Sequence, residues 1–322
     1  MNLQAEIISL AKETNADIIG FSPASRFPAD DPVFRLLPEV KTVIGLAFRV
    51  LRGSYRGIEE GSTYYQYTTM GVETLEETVM PMTLVRVAQL IEEEGFTALP
   101  QRRHEQIIAD KYDTNPEVDF TRTWRGVTAE TQINFEDAAV KCGLGELGLH
   151  GALLTDEFGP FVRYCFILTD AELEPTPMYT PHLCDKCGEC VKGCPGHAIS
   201  PAGKRGNWRC AVYYNGANGT KNPFMPPYAL DRFEDRLDII AGEAEIDREK
   251  AKAILHELYF YPPAQHAYQC SICGRACDMA CYVHLEEKGV LTRKFKDRFR
   301  YREPWKFKVE DFDISKKDES GS

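Results

Sequence analysis

The chain has 322 residues, of which 43% are hydrophobic and 27% are charged, enough for one main domain and a compact second one. Its formal net charge of −11 argues against a general nucleic-acid surface, because phosphate binding depends on clustered Lys and Arg. No stretch approaches the roughly 18 consecutive apolar residues of a membrane helix. The first residues, MNLQAEIISLAKE, contain neither a twin arginine nor an apolar signal core, so we expect a cytoplasmic protein.

Helical and extended patterns alternate along the first half of the chain. Apolar runs bounded by proline or glycine predict strands, and a period of 3.6 residues predicts helices. In chain order the predicted elements are a helix over 1–13, strands over 16–23 and 40–51, a helix over 70–95 with a fresh turn at Pro81, a strand over 96–100, a helix over 134–145 and two strands within 151–170. This alternation predicts a layered fold of the α/β or α+β class.

The composition changes at the proline-rich segment EPTPMYTP, residues 174–181. We place the domain boundary there, with a first domain over 1–175 and a second over 176–300. The second domain is rich in Cys, Gly and Pro, and one helix is predicted near 245–259. The end of the chain, 301–322, is charged and poor in apolar residues, so we expect a loose tail.

Four cysteines fall within eleven residues in the stretch HLCDKCGECVKGCPG. They are spaced as Cx2Cx2Cx3C and are followed directly by Pro195; the four are Cys184, Cys187, Cys190 and Cys194. In bacterial ferredoxins with this spacing, three thiolates bind one [4Fe–4S] cluster and the fourth ligates a second cluster. Thiols in a reducing compartment are not expected to form disulfides, so cluster ligation is the leading interpretation.

Such a run requires further ligands downstream, and the chain contains them. Our assignment gives cluster one the ligands Cys184, Cys187, Cys190 and Cys277, and cluster two the ligands Cys194, Cys210, Cys270 and Cys273. Cys281 follows Cys277 by four residues and would lie on the same face of a helix, which makes it an alternative ligand; the spacing favours Cys277.

Two other roles of the cysteines are possible. Zinc also takes four thiolates, but usually as two CxxC pairs, which the run fits poorly. Cys142 and Cys165 have apolar neighbours in the sequence, and we expect them to be small buried hydrophobic residues. Two [4Fe–4S] clusters therefore remain the prediction for the other cysteines.

The cysteine run is preceded by AVKCGLGELGLHGALLTDEFGPFVR, residues 139–163, and is followed by WRC and then by CxxCxxxC. In this order of motifs the chain resembles the corrinoid-dependent iron–sulfur reductases, the group that contains epoxyqueuosine reductase and the reductive dehalogenases. The resemblance extends from about residue 5 to 285 and is strongest over 139–281. GLGELGLHG and TDEFGPFVR are closer to the dehalogenases.

The resemblance implies a degenerate nitroreductase-like domain that holds base-off cobalamin, followed by a ferredoxin-like double [4Fe–4S] domain that delivers electrons to cobalt. Glycine lets a backbone approach a large flat ligand because it has no Cβ. The candidate cofactor-binding residues are Gly143, Gly145, Gly148, His150, Gly151 and Leu154. Dense glycines also mark turns, and His150 has a structural role as its alternative.

Candidate catalytic residues come from their positions relative to the family. Glu130, in VTAETQINF, stands where the family has an acidic or amide residue on the cobalt face, although counting back from GLGELG gives Ala129 instead. An exposed carboxylate at a helix start is the alternative role for Glu130. Dehalogenases donate a proton from a Tyr supported by a cation, which indicates Tyr112 or His104 as donor and Arg163 as the cation.

These features predict a cytoplasmic, cobalamin-dependent iron–sulfur reductase that cleaves or reduces a small organic substrate. The expected reductant is a ferredoxin or flavodoxin, with no membrane or nucleic-acid partner. An alternative is an electron-transfer protein that lacks a corrinoid and docks a redox partner. Epoxyqueuosine reduction on tRNA is disfavoured because Glu130 stands where that enzyme has Asp and because the chain is acidic.

Overall fold

The computed structural model describes residues 2–103, 133–258 and 271–313. Its first part is built on a four-stranded sheet in the order β1–β2–β6–β3, in which all neighbours are antiparallel. The strands are β1 (Ile18–Pro23), β2 (Thr42–Arg49), β3 (Ala98–Gln101) and β6 (Val162–Thr169), with a separate short pair β4 (Glu146–Leu147) and β5 (Leu153–Leu154). The predicted mixture of helices and strands is confirmed, and its sheet is antiparallel.

The helices of the described first part surround this sheet. They are α1 (Leu3–Glu13), α2 (Pro32–Leu36), α3 (Arg52–Glu60), α4 (Met80–Glu93) and α5 (Phe135–Lys141). π-helical turns over 67–79 lead into α4, so the predicted helix over 70–95 becomes regular only at Met80. Pro81 fits the first turn of α4 because that turn needs no N–H donor from it.

The side chains of β2 alternate between two hydrophobic cores. Ile44, Leu46 and Phe48 pack with α1 and α4 on one face of the sheet, and Val43 and Ala47 pack with α2 and α5 on the other. Successive side chains of a strand face opposite sides, so a strand covered on both faces has a continuous apolar sequence. The sheet is therefore the middle of three layers.

The cysteine-bearing part packs against the first part through a third core. Its helices are α6 (Glu189–Lys192), α7 (Asn207–Tyr214), α8 (Arg236–Ala241), α9 (Arg248–Leu255) and α10 (Ala276–Glu287). Phe161 stacks between Tyr55 of α3, with centroids 4.1 Å apart, and Tyr282 of α10, with centroids 4.2 Å apart. All three rings are buried. Their stacking therefore holds α10 against α3 of the first part.

Two segments differ from the sequence-based expectation. The proline-rich segment 174–181 lies along the edge of β1, where the Thr176 N–H donates to the Phe21 carbonyl at 2.9 Å. Residues 301–313 are docked rather than loose, because Trp305 Nε1 donates to the Ile58 carbonyl at 2.8 Å and Phe312 is buried. No helix in the described ranges is long and apolar enough to cross a membrane.

Candidate functional site

The cysteine run lies beside α10. At Gly193, after α6, an added Cβ would be 2.7 Å from the Ala280 Cβ, so the run touches that helix. Burial raises the pKa of the Cys281 thiol, and nearby negative charges raise it further, namely those of Asp278, Cys190, Cys184 and Cys187. A charged group shifts the pKa of a thiol in this way only when the two groups lie close together. We call Cys184, Cys187, Cys190 and Cys281 the outer thiol group, because Cys187 is exposed.

A second set of thiols converges deeper in the molecule. Burial, together with smaller contributions from Cys210 and Cys194, raises the pKa of the Cys273 thiol to about 12. Burial also raises the pKa of Cys277, to which Cys273 and Cys194 contribute. We call Cys194, Cys210, Cys273 and Cys277 the inner thiol group.

This grouping differs from the sequence-based assignment at α10. The structure places Cys281 beside the first three cysteines and Cys277 beside Cys194, whereas the spacing favoured Cys277 for cluster one. Four helical residues advance by about 6 Å, so the two thiols share a face but reach different groups. Cys270, assigned to cluster two, lies outside the described residues.

Both thiol groups suit iron–sulfur clusters chemically. Each offers four cysteine sulfurs, the donor set of a [4Fe–4S] cluster. Backbone N–H groups also point at sulfurs, from Leu149 to Cys184 Sγ at 3.2 Å and from Ala198 to Cys194 Sγ at 3.3 Å. Hydrogen bonds of this kind tune the reduction potential of a bound cluster.

Glu146 organises the approach to the outer thiol group and was missed by the sequence reasoning. Its side chain is buried and accepts three backbone N–H bonds from consecutive residues. His182 and Leu183 donate to Oε2 at 2.5 and 3.0 Å, and Cys184 donates to Oε1 at 2.7 Å. The carboxylate thus fixes the backbone at the first cysteine. An acidic residue inside the glycine-rich GLGELG was the available signal.

Three of the glycines proposed to contact a cofactor make room for protein atoms instead. An added Cβ at Gly145 would be 2.1 Å from the Leu154 carbonyl oxygen, and one at Gly143 would be 2.5 Å from the Pro177 carbonyl oxygen. At Gly148 it would be 3.0 Å from the imidazole two residues later. These glycines therefore permit close backbone packing within the protein.

The remaining cofactor-binding candidates, Gly151, Leu154 and His150, have three different surroundings. Gly151 has a φ of +79°, lines a cavity, and would leave an added Cβ with nothing within 4 Å. Leu154 is completely buried in the third core. His150 is buried with its Nε2 3.1 Å from Asp278 Oδ1, and its Nδ1 has no hydrogen-bond partner in the described residues.

Asp278 joins His150 to an arginine at the cavity wall. Arg275 Nε donates to Asp278 Oδ2 at 2.9 Å and Arg275 Nη2 donates to Oδ1 at 3.2 Å. Burial alone would raise the pKa of Asp278, but Arg275 and His150 hold it well below the usual range. The completely buried carboxylate is thereby compensated, as buried charges must be.

The cavity lies between the two parts of the molecule and has a volume of about 210 Å³. Its described wall includes Gly151 and Tyr67 from the first part and Tyr214 and Ser271 from the cysteine-bearing part. Two carboxylates, those of Glu76 and Glu136, and five guanidinium groups line it; the five belong to Arg102, Arg103, Arg163, Arg205 and Arg275. The inner thiol group adjoins this wall, because the wall residue Arg275 lowers the pKa of both the Cys273 and the Cys277 thiol.

Arg163, the cation proposed from sequence, is one of these wall residues. Its Nε is 2.7 Å from Glu76 Oε1, and its Nη2 is 3.5 Å from the Tyr55 hydroxyl. Burial alone would lower the pKa of Arg163, but Tyr55 and Glu76 raise it well above its usual value. The other catalytic candidates, Glu130, Tyr112 and His104, lie outside the described residues.

The fit of a corrinoid can be judged from the same cavity. Its volume of about 210 Å³ is below the roughly 300–1,000 Å³ typical of drug-sized ligands, and a corrin with its side chains is larger than these. The described wall, as arranged, has room for a small molecule and does not fit a corrin. We therefore derive no chemical step through that cofactor.

Comparison with known proteins finds segments that the chain shares with two groups of reductases. No protein-family model matches the chain. A segment of 65 residues, 19% of this chain, is 42% identical to part of a tetrachloroethene reductive dehalogenase of Desulfitobacterium hafniense. That segment covers 12% of the dehalogenase. A segment of 76 residues, 24% of this chain, is 33% identical to part of an epoxyqueuosine reductase of Synechococcus sp., of which it covers 23%. Homology to both groups of reductases confirms the resemblance drawn from the motifs.

Solved structures of both groups also align with the chain. Epoxyqueuosine reductase from Streptococcus thermophilus aligns over 83% of this chain and 67% of its own, with 18% identity and a TM-score of 0.44. A reductive dehalogenase whose structure suggests a mechanism for B12-dependent dehalogenation aligns over 78% of this chain and 35% of its own, with 15% identity and a TM-score of 0.45.

Proposed function

We propose that this chain is an iron–sulfur reductase that passes electrons from two [4Fe–4S] clusters to a small organic molecule in the arginine-lined cavity. The observation that carries the proposal is the convergence of eight described thiols into two groups, with the inner group beside the cavity wall. Reductases among the homologues support the same class of reaction.

The positions of the two thiol groups suggest an order of electron transfer. The outer cluster would receive electrons, because Cys187 brings it to the surface. The inner cluster would deliver them, because Arg275 and Tyr214 belong both to its surroundings and to the cavity wall. Each cluster carries one electron at a time, so a two-electron reduction requires two passages.

The cavity side chains can stabilise and protonate a reduced substrate. Guanidinium groups lower the energy of negative charge that develops when the substrate gains electrons. The Tyr164 hydroxyl lies 3.3 Å from Arg103 Nη2 and 3.4 Å from Glu136 Oε1. Burial raises the pKa of Tyr164 to about 12, so this phenol holds its proton at neutral pH. We assign Tyr164 as the described proton donor; Tyr112, His104 and Glu130 stay predictions.

The corrinoid implied by the resemblance is left out of this function because the described cavity does not fit it. A pure electron carrier, the other alternative, would need no buried polar cavity between its clusters and its first domain. The cavity with five arginines therefore favours a reductase with a bound small molecule.

Anaerobic reconstitution with iron and sulfide tests the cluster assignment. Iron and sulfide analysis with EPR of the reduced protein should give two [4Fe–4S] clusters. We expect Cys281→Ala to lose the outer cluster alone and Cys277→Ala to lose the inner cluster alone. Cys165→Ala, at a thiol buried in the sheet core, is the control that keeps both. Loss of the same cluster in both ligand variants would contradict the grouping.

The substrate and corrinoid parts of the proposal are tested on the same sample. Halogenated and epoxide-bearing small molecules should be screened for their ability to reoxidise the reduced clusters. The protein should also be incubated with cobalamin, desalted and examined for corrinoid absorption. Retained corrinoid would show that the cavity opens around it, and would refute direct reduction.

A further inference from the structure

A strongly basic segment follows α10 in this acidic chain. Residues 293–308, RKFKDRFRYREPWKFK, contain eight Lys or Arg and two Asp or Glu, a formal charge of +6, against −11 for the whole chain. We call residues 293–308 the basic strip. The composition of the chain as a whole hides this local reversal of sign.

Part of the strip's charge is neutralised and part of it faces solvent. Arg293 pairs with Glu157, Arg300 with Glu59 and Arg302 with Glu60. The other five cations are exposed and have no carboxylate partner among the described residues; they are Lys294, Lys296, Arg298, Lys306 and Lys308. A positive surface therefore remains after ion pairing within the described chain.

The strip is held rigidly against α3 and the residues near 220. Phe299 is completely buried, and its ring lies 5.3 Å from that of Tyr282. Lys221 Nζ donates to the Trp305 carbonyl at 2.6 Å, and the Phe307 N–H donates to the Thr220 carbonyl at 2.8 Å. A preformed surface binds a partner without first ordering a loop.

The strip begins beside the exposed edge of the outer thiol group. Asp185, two residues before Cys187, is 2.8 Å from Lys288 Nζ and 3.0 Å from His284 Nε2 at the end of α10. Lys294 Nζ then donates to the carbonyl of Gly289, the residue after Lys288, at 2.8 Å. The basic surface and the exposed cysteine edge are thus joined by consecutive contacts.

We propose that the basic strip is the docking surface for an acidic one-electron donor protein that reduces the outer cluster. This inference rests on the proposed function. Complementary charge would steer an acidic donor to the exposed edge of the outer thiol group, at Cys187. A long polyanion such as RNA fits less well, because the acidic remainder of the chain would repel every part of it beyond the strip.

The electron transfer can be written with an acidic flavodoxin as the probe. Its anionic hydroquinone loses one electron and becomes the neutral semiquinone. The outer [4Fe–4S] cluster gains that electron and passes from the 2+ to the 1+ state, and no proton moves. Stopped-flow absorbance follows the semiquinone that forms.

The test compares two variants with the same change in net charge. The strip variant carries Lys294→Glu, Lys296→Glu and Arg298→Glu; the control carries Lys12→Glu, Lys41→Glu and Arg86→Glu, at exposed positions in or beside α1, β2 and α4. We expect the strip variant to react with flavodoxin at least about tenfold more slowly at low ionic strength, and the difference to shrink in high salt. The control should stay within about twofold of the wild type.

A small reductant separates failure of docking from failure of the proposed function. Photoreduction with deazaflavin needs no protein surface, so it should reduce the clusters of both variants equally. If both variants have intact clusters and flavodoxin reduces them at equal rates, the docking surface is refuted and the proposed function is not. Binding of an RNA stem-loop to the strip, with the rate of reduction by flavodoxin unchanged, would refute the docking surface in the same way. Missing clusters in the wild type would refute the proposed function instead.

Discussion

Replacing Glu146 by Gln tests whether this buried side chain fixes the outer cluster. The carboxylate accepts N–H bonds from His182, Leu183 and Cys184 at 2.5–3.0 Å. An amide of the same shape keeps one accepting oxygen, but it turns an NH2 donor toward at least one of those N–H groups. The variant therefore removes a negative charge and leaves a buried donor unpaired.

Both consequences have a calculable size. An unpaired buried donor that has lost a charged partner costs about 2–3 kcal/mol of unfolding free energy. At an assumed separation of about 8 Å and an effective dielectric constant of about 20, a unit negative charge opposes reduction of a cluster by about 2 kcal/mol. At about 2.3 kcal/mol per 100 mV, its removal raises the reduction potential by about 90 mV. Reduction becomes easier because the added electron no longer meets that charge.

EPR-monitored redox titration of the reconstituted protein measures this effect. We expect the potential of the outer cluster to rise in Glu146→Gln while that of the inner cluster stays within the error of the titration. Glu157→Gln, at an exposed carboxylate paired with Arg293, is the matched control and should move neither potential. Equal shifts of both potentials, or none, would refute the role given to Glu146.

Two stability predictions follow from the packing, both measured by thermal unfolding of the reconstituted protein. Gly145→Ala should cost about 1–3 kcal/mol, because its Cβ would be 2.1 Å from a carbonyl oxygen. Gly53→Ala, in α3, where no atom lies within 4 Å and φ is not positive, should cost less, and equal losses would contradict this. Arg300→Gln should cost about 3–5 kcal/mol, because it leaves the buried Glu59 unpaired. Arg302→Gln, whose side chain is 69% exposed, should cost under about 1 kcal/mol, and the reverse order would refute the distinction.

The sequence predicted the elements that depend on local pattern. Apolar runs bounded by proline or glycine identified β1, β2 and β6, and the isolated thiols Cys142 and Cys165 are fully buried as expected. Cysteine spacing also indicated that two groups of thiols must exist. Spacing could not decide between Cys277 and Cys281, because both lie on one face of α10 and the choice depends on where the helix packs.

Tertiary contacts explain the other differences. The glycines of GLGELG were read as space for a ligand, yet Gly145 serves a backbone contact with Leu154, which only the folded chain reveals. The segment after residue 300 is highly charged, so its composition predicted a loose tail. Its few aromatic residues were decisive, since Trp305 and Phe312 anchor the segment on distant parts of the chain.

The first two turns of α10 and its N-cap Arg275 connect electron delivery to the cavity. Arg275 lines the cavity, Cys277 faces the inner thiol group and Cys281 faces the outer group, so a shift of this helix would move all three together. The buried Asp278 pairs with Arg275 and with His150 of the GLGELGLHG loop, which ties the helix to the first part of the molecule. A buried ion pair contributes little net stability, so its value here lies in fixing one register of the helix. The geometry between clusters and cavity therefore depends on a carboxylate that ligates nothing.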